Sequence, residues 1–226
     1  SLIQGIFYKI EIGHGSLIEG NENNFNTITS WKKRWKYDLN ITNKFITREN
    51  INKIINEFKP PNDIGLLSID IDGNDYWILK ELDLKKINPL ILIIEYNSLF
   101  GNKYKITVPY DNNFQRKKKS FSNLYFGCSI QALIDQCKNK GYHFIGTNKN
   151  GCNAFFVNEL FFSMIKNKIT EKKIFLSKFR ESRDKQNKLS FLKKNEQLNI
   201  VKDLEVFDIS ENRVKKIFEY PDILNT

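Results

Sequence analysis

The chain has 226 residues, 40% of them hydrophobic, and a formal net charge of +10. That length sustains one good core, and no apolar run is long enough to span a membrane, since ILIIEY is short and flanked by Pro89 and polar residues. Cys128, Cys137 and Cys152 have no CxxC spacing and are odd in number, which argues against a disulfide framework and for a reducing, cytoplasmic setting. The basic residues fall in scattered groups, at 32–34, 116–119, 172–173 and 193–194, with no regularly interleaved aromatics. They read as a solvated surface rather than a nucleic-acid groove, while anionic substrates or lipid headgroups stay compatible with them.

In chain order, FYKIEIG (Phe7–Gly13) and SLIEG (Ser16–Gly20) read as strands, each ending in an acidic residue near a glycine. As parallel neighbours they would need a crossover of a dozen or more residues, and only His14 and Gly15 lie between them. The link is therefore a hairpin or has lost residues after Gly13, and the second alternative is favoured. Asn24 to Trp35 has helical spacing through Phe25, Ile28, Trp31 and Trp35, which helix packing accounts for. Phe45–Thr47 is a short strand candidate. Thr47 and Asn50 precede a helix (Ile51, Ile54, Ile55, Phe58) that Pro60 and Pro61 end.

Leu66 to Trp77, LLSIDIDGNDYW, is the centre of the pattern: an apolar strand, a Gly73-Asn74 turn and a helix from Tyr76. The strand is apolar enough for burial on both faces, yet it carries Asp70 and Asp72, which alternation places on one face. Buried carboxylates are costly unless something pairs with them, and ligands of open α/β sheets bind beyond the carboxyl ends of the strands. Asp75 sits well for a helix N-cap. Pro89 opens a second apolar strand that ends in Glu95, Tyr96 and Asn97. A long irregular stretch follows, Ser98 to Gly127, with ITVPYD, a basic tip at Arg116–Lys119 and the aromatics Phe121, Tyr125 and Phe126. A loop of that length is functional or disordered, and its aromatics argue for function. Ser129 to Lys140 is an amphipathic helix capped by Gly141. Two strands, Tyr142–Gly146 and Ala154–Val157, form a hairpin through Asn148–Gly151. His143 reads as a core or edge histidine. The remainder is lysine-rich, with a dense charge cluster at residues 179–184. The chain thus divides into an α/β domain, 1–158, and a helical or irregular appendage, 159–226, that packs on the domain or on a second copy in a homo-oligomer.

Alternating strands and helices imply a parallel α/β sheet. LLSIDIDGNDYWI followed by LILIIEYNS, ITVPYD, LYFGCS and NGCNAFFV resembles the FkbM-type methyltransferase family, over roughly Tyr8 to Val157 and more weakly in the SRD-containing tail. The resemblance implies a Rossmann-like class I methyltransferase fold: a mostly parallel seven-stranded sheet with a C-terminal antiparallel hairpin, here followed by the lysine-rich appendage. It implies S-adenosylmethionine as cofactor and a small-molecule or glycan acceptor, with O-methylation of a sugar or glycan precursor as the reaction. Under it Glu11, Gly13, Glu19, Thr47, Asn50 and Asp70 are the cofactor-binding candidates, with Glu19 on the ribose hydroxyls. Asp72 and Asp70 are the catalytic candidates, and Asp75, Glu95, Asn97, Tyr110 and Tyr125 the substrate-binding ones. The hard oxygen donors suit Mg²⁺ rather than Zn²⁺. The alternatives are a nucleic-acid methyltransferase and a non-catalytic scaffold of the same fold, the latter supported by the shortened first motif.

Overall fold

A computed structural model describes residues 5–10, 14–31, 38–60, 64–169, 171–175 and 182–224. The main sheet holds β1 (Gly5–Ile10), β2 (His14–Glu19), β3 (Asp38–Asn43), β4 (Leu66–Asp70), β5 (Ile91–Glu95), β7 (Tyr142–Thr147) and β8 (Asn153–Asn158), in the order β3-β2-β1-β4-β5-β8-β7. The intervening β6 (Ile106–Thr107) belongs to a second sheet, with β9 (Glu205–Asp208) and β10 (Arg213–Lys216). Helices α1 (Glu22–Thr29), α2 (Ile51–Phe58), α3 (Asp75–Glu81), α4 (Leu84–Ile87), α5 (Arg116–Lys119), α6 (Ile130–Asn139), α7 (Glu159–Ile165) and α8 (Lys194–Val201) connect and flank the strands.

Seven strands and the final hairpin appear as expected, but the mostly parallel pairing does not. The β2–β3 and β4–β5 pairs are parallel, whereas β1–β2, β1–β4, β5–β8 and β7–β8 are antiparallel. The cause at β1 is its link: Ile10 pairs with His14, and three residues cannot make a parallel crossover. The strands take the hairpin arrangement instead of the parallel one that a missing segment would have allowed. β1 still lies between β2 and β4, with Ile6 opposite both Ile18 and Ile69. Consequently β2, β3, β4 and β5 end at one sheet edge, where β1 begins rather than ends.

β4 and β5 obey strand alternation. Leu67, Ile69, Leu92 and Ile94 are fully buried, and the residues between them are half-buried, so one face is drier than the other. They pack with Ile51, Ile54 and Ile55 of α2, Ile78 and Leu79 of α3, and Leu133 and Cys137 of α6. Burying each such side chain contributes about 1.5–3 kcal/mol. Asn50 precedes α2, and Lys59 stops it in the left-handed region at φ 47°, before Pro60. Ser129 caps α6, its Oγ accepting from the Ala132 N–H, and Gly141 follows the helix at φ 83°. The short strand expected at Phe45–Thr47 is irregular, and β3 lies just before it. Trp35, Pro61 and the 179–181 part of the charge cluster lie outside the described residues.

After residue 158 the lysine-rich tail packs on the long central segment. Its Leu198, Val201, Val206, Ile217, Tyr220 and Ile223 are buried in a second core with Leu99, Phe100, Ile106, Val108, Phe114 and Leu124 of the long central segment. The β6–β9 pairing joins the same two stretches. Each stretch by itself has too few apolar residues for a core, and together they close one.

Candidate functional site

The β4–α3 turn gathers the acidic residues. Asp70 ends β4, and Glu95 ends β5 at the next level of the parallel ladder, one step beyond the Ile69–Ile94 pair. Asp72 lies in the turn at φ 60°, a left-handed conformation that Asp tolerates better than most residues. Each of Asp70, Asp72 and Glu95 offers one carboxylate oxygen within 4.8 Å of the others. Asp75 holds the turn from inside: its carboxylate accepts from the Ile71 N–H at 2.9 Å and the Gly73 N–H at 3.0 Å. It is wholly buried, and the expected cap position falls to Asn74. Asn74 Nδ2 donates to the Asp111 carbonyl at 2.8 Å, tying the turn to the long segment, while its buried Oδ1 has no partner among the described residues.

Burial, and then the charges of Asp75 and Asp72, push Asp70 up to about 7. Burial pushes Asp75 up to about 6 against the opposing pull of its backbone N–H donors. Burial and the neighbouring Asp70 raise Glu95 far above the usual carboxylate range. Its side chain is 13% exposed, and its buried Oε2 has no hydrogen-bond partner among the described residues.

Arg116 answers these carboxylates, and sequence reasoning missed it. Arg116 Nη1 donates to Asp72 Oδ1 at 2.9 Å and lies 4.0 Å from Glu95 Oε1. In the sequence Arg116 opens a run of lysines and looks like a solvated tip; the paired carboxylates at two strand ends were the available signal that a cation had to come from elsewhere.

Glu19 ends β2 at the same sheet edge, nearly fully buried. Its carboxylate accepts from the Asn21 N–H at 2.7 Å and from Asn24 Nδ2 at 3.4 Å. Thr47 and Asn50 form the turn before α2. Asn50 Oδ1 accepts from the Thr47 N–H and its Nδ2 donates to the Phe45 carbonyl, so this side chain is spent on the turn. Asn97 does not join the carboxylates: its Nδ2 donates to the Leu124 and Phe126 carbonyls, and its Oδ1 accepts from the Leu99 N–H. Glu11 and Gly13 lie outside the described residues.

Tyr110 and Tyr125 meet at a cavity of about 480 Å³ that Asp111, Asn112, Phe114 and Glu205 also line. Tyr110 donates to Glu49 at 2.6 Å, and the Arg48 guanidinium lies 5.0 Å from its ring centroid. Tyr125 is buried and donates to the Glu205 carbonyl. The carboxylates of Asp70, Asp72 and Glu95 do not line this cavity; Phe114 stands between, packed against Gly73.

Acidic side chains thus gather at neighbouring strand ends of an α/β sheet, at the kind of edge where open α/β sheets bind ligands. Residues 10–144, more than half of the chain, match the family model described as the methyltransferase FkbM domain. The chain belongs to the FkbM methyltransferase family. Neither the curated proteins nor the solved structures contain a match to it. Among the described residues no helix is long and apolar enough to cross a membrane.

Proposed function

We propose that the protein is an S-adenosylmethionine-dependent methyltransferase that methylates a hydroxyl oxygen of a sugar or glycan precursor. The observation that carries this reading is the convergence of Asp70, Asp72 and Glu95 at the ends of adjacent parallel strands, within a chain of methyltransferase family. The donors at β2, β4 and β5 suit the cofactor: Glu19 for the ribose hydroxyls, and the three carboxylates beside its methionine part. The cofactor supplies a methyl group on a positively charged sulfur. The chain supplies position and a proton acceptor. Asp70, pushed up to about 7, is matched to accepting the hydroxyl proton near neutral pH. Asp72, oriented by Arg116, directs the acceptor. The segment from Ser98 to Gly127 covers the edge. Mg²⁺ would find oxygen donors of the right kind in the triad and would lower the pKa of a bound hydroxyl; it would have to share Asp72 with Arg116.

One observation favours a second reading, a non-catalytic scaffold. β1 runs antiparallel, so its carboxyl end is at the sheet edge away from Asp70 and Glu95, opposite to the edge where the acidic strand ends gather. Calorimetric titration of S-adenosylmethionine into the wild type and Glu19→Ala decides between them. Binding that Glu19→Ala weakens by about tenfold or more, the loss of a charge-assisted hydrogen-bond pair, supports the enzyme. A folded wild type that does not bind supports the scaffold.

A further inference from the structure

Arg116 reaches the carboxylates from a loop. It opens the four-residue helix α5, whose Lys117, Lys118 and Lys119 are all exposed. Its own side chain is only 11% exposed. The guanidinium is held from three sides: Nη1 on Asp72, Nε donating to the Asn123 carbonyl at 2.8 Å, and Cζ 3.6 Å from the ring centroid of Phe126. Asn123 and Phe126 belong to the same loop, so the arginine is pre-shaped by its own segment and then offered to Asp72 across the sheet edge. Asn97 fixes that segment from below through the Leu124 and Phe126 carbonyls. The result is a rigid positive charge aimed between Asp72 and Glu95.

The same position is where a positive centre of a ligand gains most. Asp70, Asp72 and Glu95 bring three oxygens within 4.8 Å, and Glu95 keeps a buried oxygen with no partner among the described residues. Two positive charges a few ångströms apart repel strongly outside bulk water. A guanidinium and a cationic ligand centre therefore compete for Asp72 and Glu95, whereas a neutral ligand atom faces no such contest and gains no such attraction.

We propose that Arg116 is a specificity-determining residue of this site: it takes the cation position between Asp72 and Glu95 and so sets how strongly the site prefers a positively charged ligand over its neutral analogue. The proposal rests on the S-adenosylmethionine reading for the identity of that ligand. S-adenosylmethionine carries a sulfonium, and S-adenosylhomocysteine has a neutral thioether in the same place. With Arg116 present the site's negative charge is partly spent, and the two bind with similar strength. Without it the preference for the sulfonium rises.

The experiment is calorimetric titration of both ligands into the wild type, Arg116→Gln, Arg116→Lys and Asp72→Asn, each checked for folding by circular dichroism. Arg116→Gln raises the ratio of S-adenosylmethionine to S-adenosylhomocysteine affinity by about tenfold or more, and Arg116→Lys keeps the wild-type ratio. Asp72→Asn, which removes charge of the other sign, lowers the ratio and serves as the independent arm if Arg116→Gln does not fold. A merely structural arginine would weaken both ligands alike in Arg116→Gln and leave the ratio unchanged, which overturns the proposal. If neither nucleoside binds any variant, the cofactor reading fails by itself, and titration with Mg²⁺ alone then decides this proposal. Tighter Mg²⁺ binding by Arg116→Gln than by the wild type upholds the competition, and equal binding ends it.

Discussion

Gly73 follows Asp72 in the turn that presents the carboxylates, and the structure leaves no room for a side chain there. A Cβ at this position would lie 2.2 Å from two ring carbons of Phe114 and 3.0 Å from a third. Carbon atoms in contact sit about 3.5–4.0 Å apart, so Gly73→Ala forces the ring or the turn to move by more than an ångström. Neither is free. The ring is 7% exposed and sits in the second core, 6.3 Å between centroids from Tyr125. The turn is bound by Asp75 at Ile71 and Gly73, and by the Gly127 N–H donating to the Gly73 carbonyl at 3.1 Å. Overpacking of this kind costs about 1–3 kcal/mol. At about 2–4 °C per kcal/mol for a chain of this size, the melting temperature drops by roughly 2–12 °C. Thermal melts of Gly73→Ala, Phe114→Ala and the double variant separate the cause. Phe114→Ala is destabilising in its own right, by up to about 3–5 kcal/mol through the cavity it leaves. It also removes the obstacle, so adding Gly73→Ala to it costs less than about 0.5 kcal/mol more. An equal Gly73→Ala penalty in both backgrounds would refute the packing of the 109–127 segment on the site turn.

Two further outcomes follow from the same geometry. Asp70 is raised from 3.8 to about 7 and Asp75 to about 6, with Glu95 raised as well. The folded chain thus keeps protons that the unfolded chain gives up, so this stabilisation is complete below about pH 4 and drains away as the pH climbs to about 7. Chemical denaturation midpoints should be lower at about pH 8 than at about pH 5, and Asp70→Asn should flatten that slope; a slope that survives Asp70→Asn unchanged assigns it elsewhere. Ser129→Ala should destabilise by about 1–3 kcal/mol, because the buried Oγ donates to the Tyr104 carbonyl at 2.6 Å and accepts from the Ile106 and Ala132 N–H groups. A loss under a few tenths of a kcal/mol in urea titration would mean that water or a shifted turn satisfies all three groups.

Several features were legible in the sequence because their causes are local. The alternation of Leu66–Asp70 and Ile91–Glu95 marks strands, the spacing of Ile51, Ile54 and Ile55 marks α2, and Ser129 and Gly141 bracket α6. The meeting of Asp70, Asp72 and Glu95 was legible one step further, since adjacent parallel strands end at one edge. The direction of β1 was half legible: its link is too short for a crossover, but only the pairing of Ile10 with His14 chose the hairpin.

Polarity alone did not separate ligand candidates from scaffolding. Asp75 and Asn97 look like site residues by type and place, yet their side chains are taken up by backbone groups of Ile71, Gly73, Leu99, Leu124 and Phe126. Arg116 was hidden for the opposite reason. It stands 44 residues from Asp72 in a lysine run, and nothing in its neighbourhood distinguishes it from its solvated companions. The tail's packing partner was not legible because its apolar residues are spread over α8, β9 and the stretch after β10, diluted by charge, and become a core only opposite residues 99–125. The sequence by itself determined the central strands β4 and β5 with helices α2 and α6, the strand-end carboxylates and the family. Tertiary structure alone decided which polar groups remain available for a ligand, because hydrogen-bond and ion-pair partners distant in the chain are assigned only when the backbone has closed around them.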